Sequence, residues 1–230
     1  MQNVEYEVLV FDSDPDNRIL AAENGVGLEI LAHDSVPEVR LAVALQDYGL
    51  DELINDPDPI VKETATYMSY VTSENPANRK KAAKHGFGLN VLMYDSDSSV
   101  RRAVAKTGHG LDTLVNDENP TIRAAIAEQG FYLDKLTNDE NPWVRASVAS
   151  RKHNLHILIH DKEWLVRQTV AEQGFGLDTL IHDKEWIVRK AVAQQGYGLE
   201  TLVHDESSSV RTAVAQQGFG LDILVHDEDV

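Results

Sequence analysis

Apolar and polar residues recur along this chain with a period of 22 residues. Two nearly identical copies, GFGLDTLIHDKEWIVRKAVAQQ (174–195) and GYGLETLVHDESSSVRTAVAQQ (196–217), show the pattern most clearly. A period of this length is typical of repeat proteins, in which each unit buries its apolar face only against its neighbours. The sequence therefore predicts a stack of similar units, and we expect function where the copies differ.

The first half of each repeat predicts an α-helix of about ten residues. In the copy DENPTIRAAIAEQG (117–130), Asn119 and Pro120 form an N-cap and first-turn pair, and Gly130 ends the helix. At 100° per residue, Ile122 and Ile126 share one face. One slot beside that face is alanine in nine of ten copies, which indicates that neighbouring helices lie close together.

The second half, GxGLDxLxxD, predicts one short helix. Its two leucines are three residues apart, as in Leu177 and Leu180, a spacing that suits a 3₁₀-like turn. The sequence thus predicts an all-α fold. This is an α-solenoid, or superhelix, of 22-residue repeats, each with one α-helix and one short 3₁₀-like helix, in a single domain over residues 1–230.

One repeat, at about residues 57–78, is irregular. It lacks the glycine turn and the leucine pair, so we expect a longer helix from about Ile60 to Val71. The basic residue that recurs in every helix shows the same irregularity, because the step from Lys62 to Arg79 is 17 residues instead of 22.

An aspartate precedes the recurring arginine by six residues, as in Asp117 and Arg123. Because the two keep a fixed phase in nearly every copy, we predict a structural polar ladder rather than a catalytic pair. Removing a buried partner of such a ladder should cost roughly 1–3 kcal/mol. Ser73 replaces the aspartate in the irregular repeat.

At this DxxxxVR motif the chain resembles HEAT-like α-solenoids. Its 22-residue unit is shorter than an ordinary HEAT repeat and is more similar to the leucine-rich-repeat-variant subclass, in which α and 3₁₀ helices alternate. The resemblance covers nearly the whole chain. It implies the solenoid fold and a tendency toward protein-binding scaffolds, whereas the double-glycine turn and the 17-residue step depart from it.

Composition narrows the class of partner. The chain has 21 Lys and Arg against 38 Asp and Glu, a net charge of −17, which on average repels DNA, RNA and anionic membranes. It has no cysteine, no signal-like start and no run of 18 apolar residues. We therefore expect a cytoplasmic protein, monomeric or weakly homodimeric, that contacts neither nucleic acid nor membrane directly.

Recurrent histidines and glycine pairs do not predict an enzyme. Histidines a whole repeat apart are too distant to share one ion, and asparagine fills the same slot in other copies. His153, His156 and His160 can share a helical face, but they replace ordinary turn residues, so a metal site there is the less favoured interpretation. The glycine pairs suit positive φ angles. We expect no catalytic residues, no metal site and no cofactor.

Three consecutive copies contain all the tryptophans of the chain. The slot two residues before the arginine, which we expect to be exposed, is apolar in these copies, whereas Thr121 and Ser209 fill it in the flanking ones. Clustered tryptophan is typical of an interface hot spot. The alternative is that the rings pack on one another and on the stems of nearby lysines. The predicted protein-binding site comprises Trp143, Trp164, Leu165, Trp186 and Ile187.

A basic island interrupts the acidic chain. Residues 75–110 contain seven Lys and Arg against two Asp, a local charge of 7 − 2 = +5. Such an island attracts an anionic partner, or it relieves the self-repulsion of an acidic chain. The residues expected to point away from the core are Lys80, Lys84, Arg102 and Lys106.

These observations predict a non-catalytic scaffold of HEAT-like repeats that binds a protein or peptide. One alternative is an acidic nucleic-acid mimic that inhibits a basic nucleic-acid-binding partner, which requires acidic side chains ordered along one face. Another is a HEAT-like nucleic-acid enzyme. It requires a carboxylate in a cleft beside an aromatic and basic pocket, and the net charge disfavours it.

Overall fold

The computed structural model describes residues 6–225, in which all regular elements are helical and no strand occurs. After a 3₁₀ turn at Val8–Phe11, ten longer helices follow: α1 (Pro15–Glu23), α3 (Pro37–Leu45), α5 (Pro59–Val71), α6 (Pro76–Lys84), α8 (Ser98–Lys106), α10 (Pro120–Glu128), α12 (Pro142–Ser150), α14 (Trp164–Glu172), α16 (Trp186–Gln194) and α18 (Ser208–Gln216). The four-residue helices between them are α2 (Leu28–Leu31), α4 (Leu50–Leu53), α7 (Leu89–Leu92), α9 (Leu111–Leu114), α11 (Leu133–Leu136), α13 (Leu155–Leu158), α15 (Leu177–Leu180), α17 (Leu199–Leu202) and α19 (Leu221–Leu224). The predicted alternation of longer and short helices is confirmed.

Most longer helices begin at a side-chain cap. In α10, Asn119 Oδ1 accepts a hydrogen bond from Thr121 N at 2.9 Å, and Pro120 occupies the first turn, where its missing N–H costs nothing. Helices α14 and α16 begin instead at Trp164 and Trp186, and their N-cap glutamates make no side-chain cap hydrogen bond. These two repeats therefore carry Glu-Trp where α10 carries Asn-Pro.

Each short helix is a single turn with mixed hydrogen bonding. In α15, Thr179 N and Leu180 N both donate to the Gly176 carbonyl at 3.0 Å, the first as a 3₁₀-type bond and the second as an α-type bond. Gly176 starts this turn in the left-handed conformation with φ +61°, which glycine adopts without steric cost.

The chain divides into two compact units, Met1–Gly110 and Leu111–Val230. In the first unit α1, α3 and α5 pack in succession, followed by α6 and α8. In the second unit α10, α12, α14, α16 and α18 pack in succession. Each unit is thus a helical stack of the α-solenoid type, and a single domain over residues 1–230 stays a prediction.

The core of the second unit repeats with the sequence. The alanine slot is fully buried in four successive helices, and the second leucine of the short helix that follows each of them is no more than 2% exposed. Because alanine adds little side-chain volume, neighbouring longer helices approach closely there. The buried residues are Ala127, Ala149, Ala171 and Ala193, with Leu136, Leu158, Leu180 and Leu202.

The irregular repeat of the first unit is the single 13-residue helix α5, as the sequence predicts. A Cβ added at Gly88 would lie 2.5 Å from Val71 Cγ1, and one added at Gly176 would lie 2.1 Å from Ile159 Cδ1. In both cases the partner is 17 residues earlier. The end of α5 therefore takes the place of a short helix, and the loss of 22 − 17 = 5 residues removes the glycine turn.

Candidate interaction surfaces

The recurring arginine joins neighbouring repeats through a buried ion pair. Arg145 Nε and Nη2 donate to Asp161 Oδ2 and Oδ1 at 2.6 and 2.8 Å, and Arg145 Nη1 donates to the Asp139 carbonyl at 2.7 Å. The side chains of Arg145 and Asp161 are each 8% exposed. The same two-bond pairing joins Arg18 to Asp34, Arg40 to Asp56, Arg79 to Asp95, Arg123 to Asp139, Arg167 to Asp183 and Arg189 to Asp205.

The register of this ladder differs from the one suggested by the motif. The residue six positions before each of these arginines, an aspartate except for Ser73, gives it only a backbone carbonyl, whereas the carboxylate that it binds lies 16 residues later, in the next repeat. The fork of a guanidinium reaches both groups at once because its donors point in fixed, divergent directions. Asp161, for example, thereby connects Arg145 through its carboxylate with Arg167 through its backbone carbonyl.

The ladder carboxylates are held by hydrogen bonds from both side chains and backbone. Asp161 Oδ1 also accepts a hydrogen bond from Glu163 N at 2.9 Å. Burial raises the pKa of Asp161, but the hydrogen bonds from Arg145 and the Glu163 backbone outweigh burial and hold that pKa below its usual value. An ionised carboxylate with three hydrogen bonds of this kind, repeated along the chain, is typical of a structural role.

The first unit contains one modified ladder position, at the irregular repeat. Arg79 Nη1 still donates to the Ser73 carbonyl at 2.8 Å, but Ser73 supplies no carboxylate. Lys62, which occupies the arginine slot of α5, is exposed and makes no ion pair among the described residues. The cation of this repeat is therefore available to a ligand.

The tryptophans lie at the starts of three successive helices of the second unit. Trp143, Trp164 and Trp186 are 66%, 41% and 43% exposed, and none of them stacks on another ring in residues 6–225. Leu165 and Ile187 are half-buried rather than exposed as expected. They flank the buried residues Val166 and Val188 on helices that have a packed neighbour on each side.

The basic island only partly faces solvent. Lys84 and Lys106, at the ends of α6 and α8, are exposed, whereas Lys80 and Arg102 are half-buried. Lys80 and Arg102 are therefore less exposed than Lys84 and Lys106, and that all four residues point away from the core stays a prediction. Lys80 and Arg102 directly follow the ladder arginine, and α6 and α8 pack against each other.

A groove of about 620 Å³ along α5 and α6 was not predicted from the sequence. Its lining combines aromatic and basic side chains, namely Tyr67, Tyr70, His85, Lys62, Lys81 and Lys84, with Pro59, Glu63 and Thr66. One signal was present: Tyr67 and Tyr70 are three residues apart in the irregular repeat, and such a pair shares one helix face.

The histidines that suggested a metal site do not gather. His153 Nε2 lies 2.7 Å from Asp134 Oδ1 of the preceding repeat, and no group of three His, Asp or Glu residues in the described part of the chain is arranged to hold a metal ion. Likewise, none of the described helices is both long enough and apolar enough to cross a membrane.

A scan against protein-family models finds no match, and a search among curated proteins finds no relative. The class of this protein is therefore assigned from its fold. Within each unit, alternating longer and short helices pack repeat on repeat, which makes this chain a helical-repeat protein of the α-solenoid type.

Proposed function

We propose that this chain is a non-catalytic scaffold of the HEAT-like, leucine-rich-repeat-variant type that binds a protein or peptide through its tryptophans. The observation that carries the proposal is the exposure of Trp143, Trp164 and Trp186, at 66%, 41% and 43%, on three successively packed helices. Tryptophan is highly buried on average. Three exposed copies in a row form an apolar edge suited to a partner that spans adjacent repeats.

The local sequence supports this proposal. In α14 and α16 a tryptophan occupies the position where α10 has proline, and no side chain caps the helix. An N-cap typically contributes about 1 kcal/mol to stability. These two repeats therefore lack a local stabilising feature and present an aromatic ring instead, which is consistent with selection for binding.

The charge distribution suggests a division of roles. Aromatic anchors supply most of the binding free energy of an interface, while exposed charges mainly set the association rate and salt dependence. Lys84 and Lys106 are the exposed members of the basic island and would favour an acidic partner. We propose a cytoplasmic protein that is a monomer or weak homodimer.

Two other functions are less well supported. A nucleic-acid mimic needs ordered, available carboxylates, but its most regular candidates are bound in the arginine ladder. A nucleic-acid enzyme needs a carboxylate beside an aromatic and basic pocket, and Glu63 in the α5–α6 groove has such neighbours. Glu63 is exposed, however, and an open groove does not exclude water from the carboxylate.

The proposal is tested by comparing three proteins in capture from the native lysate: the wild type, Trp164→Ala with Trp186→Ala, and Tyr197→Ala. Tyr197 is a matched control because it is 43% exposed but lies in a glycine turn. A partner retained by the wild type and the control, and lost by the double variant, is then titrated by calorimetry. Each tryptophan should contribute about 2 kcal/mol or more to binding; equal affinity for folded tryptophan variants contradicts the proposal.

A further inference from the structure

The irregular repeat has an unpaired lysine, Lys62, at the position where the other repeats have an arginine bound in the ladder. The Arg40 side chain is 11% exposed and donates to Asp56 at 2.7 and 2.8 Å. The equivalent Lys62 is exposed, and Ser73 stands where its carboxylate partner would be. One arginine–aspartate pair of the ladder, which we call a rung, is thus replaced by Lys62 and Ser73. The lysine lines the groove along α5 and α6.

The same groove has an aromatic floor. Tyr67 stacks on His85 with ring centres 3.9 Å apart, and Tyr70 meets Tyr67 edge to face at 6.0 Å and 80°. Lys81 Nζ lies 5.7 Å from the centre of the Tyr70 ring, within the range of a cation–π contact. Apolar rings and cations are therefore presented together, which suits a ligand that is both apolar and anionic.

Charge in the groove is opposite to that of the whole protein. Three lysines, Lys62, Lys81 and Lys84, face one carboxylate, Glu63, on a chain with a net charge of −17. We propose that this groove binds an acidic peptide segment, whose carboxylates pair with the three lysines and whose aromatic side chain packs on Tyr67 and Tyr70. The site is separate from the tryptophan edge and does not depend on it.

Three features favour a peptide over a nucleic acid or a small phosphate. The cations are all lysines, which lack the planar fork that binds phosphate with two parallel hydrogen bonds. The backbone N–H groups of Ile60 and Val61 at the start of α5 already donate to Asp58, so they offer no phosphate cradle. Finally, a long polyanion would extend beyond the groove and be repelled by the acidic remainder of the chain, whereas a short peptide contacts only the groove.

The test is fluorescence anisotropy with a fluorescein-labelled peptide in which one Phe is flanked on each side by Glu residues. We expect saturable binding to the full chain that weakens by about tenfold or more in Lys81→Glu with Lys84→Glu, because two attractive charges become repulsive. Tyr70→Ala, and replacement of Phe by Ala in the probe, should each weaken binding as well.

The matched control is Lys162→Glu with Lys184→Glu, which changes the net charge equally at exposed lysines of the second unit. Binding should be retained in this control and in Trp164→Ala with Trp186→Ala, so that the groove and the tryptophan edge are judged separately. The proposal is overturned if the wild type does not bind the probe saturably, or if the control loses as much affinity as the groove variant. Displacement of the probe by oligothymidylate at lower concentration than by unlabelled peptide also overturns it.

Discussion

The regular repeats of the second unit and the irregular repeat of the first unit bury similar apolar residues but connect to their neighbours differently. In α12 and α14, fully buried Val144 and Val166 are accompanied by the buried arginine ladder. In α5, Val61 and Ala65 are equally buried, yet Lys62 is exposed and unpaired. The apolar row is thus sufficient to pack a helix into the stack, and the ladder is a separable addition.

The comparison also shows what the ladder does. Arg167, for example, donates to the Asp161 carbonyl before its helix and to the Asp183 carboxylate after the next short helix, so its bonds bracket the Gly174–Gly176 turn. In the irregular repeat there is no glycine turn to fix, because α5 continues as one hydrogen-bonded helix to Val71. The structural need for the ion pair disappears with the turn.

Acid should have the largest effect, because it titrates several rungs at once. Hydrogen bonds from arginine lower the pKa of Asp34 and Asp56. For Asp95 and Asp183 burial raises the pKa, but the arginine and backbone hydrogen bonds outweigh it, and the net shift is again downward. Folded-state values below an unfolded value of about 3.9 mean that the ladder stabilises the fold fully above that pH and less as the pH falls through the folded values.

We therefore expect the midpoint of thermal unfolding, followed by circular dichroism, to be nearly constant between about pH 5 and 7 and to fall steeply below about pH 4. Asp161→Asn removes one titrating rung, so its stability should depend less on pH in the acid range. A wild-type midpoint that is the same at pH 3 and pH 5 would contradict a stabilising ladder.

The next largest effect is expected from breaking one rung. Arg145→Ala leaves the buried Asp161 carboxylate without its partner, which should cost about 3–5 kcal/mol in the free energy of unfolding. Lys62→Ala changes the equivalent slot of the irregular repeat, where no ion pair exists, and should cost no more than about 0.5 kcal/mol. Urea denaturation of the two variants compares them directly, and equal losses would remove the distinction between the regular and irregular repeats.

A smaller effect distinguishes the two glycines that precede α7. Both have positive φ, but an added Cβ at Gly86 meets nothing within 4 Å, whereas at Gly88 it meets both γ carbons of Val71, at 2.5 and 2.7 Å. Gly86→Ala should cost about 1–2 kcal/mol for the backbone alone. Gly88→Ala adds an overpacking cost of about 1–3 kcal/mol. If the thermal midpoints of the two variants coincide, Val71 does not occupy the position of a short-helix residue.

The smallest expected effect concerns how the helices start. Asp58 Oδ1 accepts hydrogen bonds from Ile60 N and Val61 N at 2.9 and 3.1 Å, so Asp58→Ala should destabilise the irregular repeat by about 1 kcal/mol. Glu163 makes no side-chain cap bond to α14, and Glu163→Ala should change stability by less than about 0.5 kcal/mol. Chemical denaturation resolves the difference, and a larger loss for Glu163→Ala would reverse this interpretation.

Local rules decided much of this structure, so the sequence alone was informative about it. The Asn119–Pro120 start of α10 and the length of α5 depend on residues within one repeat. The slot two residues before the arginine was only partly predictable: Trp143 in this slot is 66% exposed as expected, whereas Leu165 and Ile187 in the same slot are half-buried. Caps, helix periodicity and positive φ act within a few residues and are readable without a partner surface.

Tertiary structure decided what depends on which repeat faces which. The carboxylate partner of Arg145 is 16 residues later rather than six earlier, because packing brings Asp161 of the next repeat against the guanidinium. The half-burial of Leu165 and Lys80 depends on helices on either side. The groove forms only because α5 and α6, helices with no glycine turn between them, bring Tyr70 and Lys81 together, and a contact between side chains of different helices has no local signal in the chain.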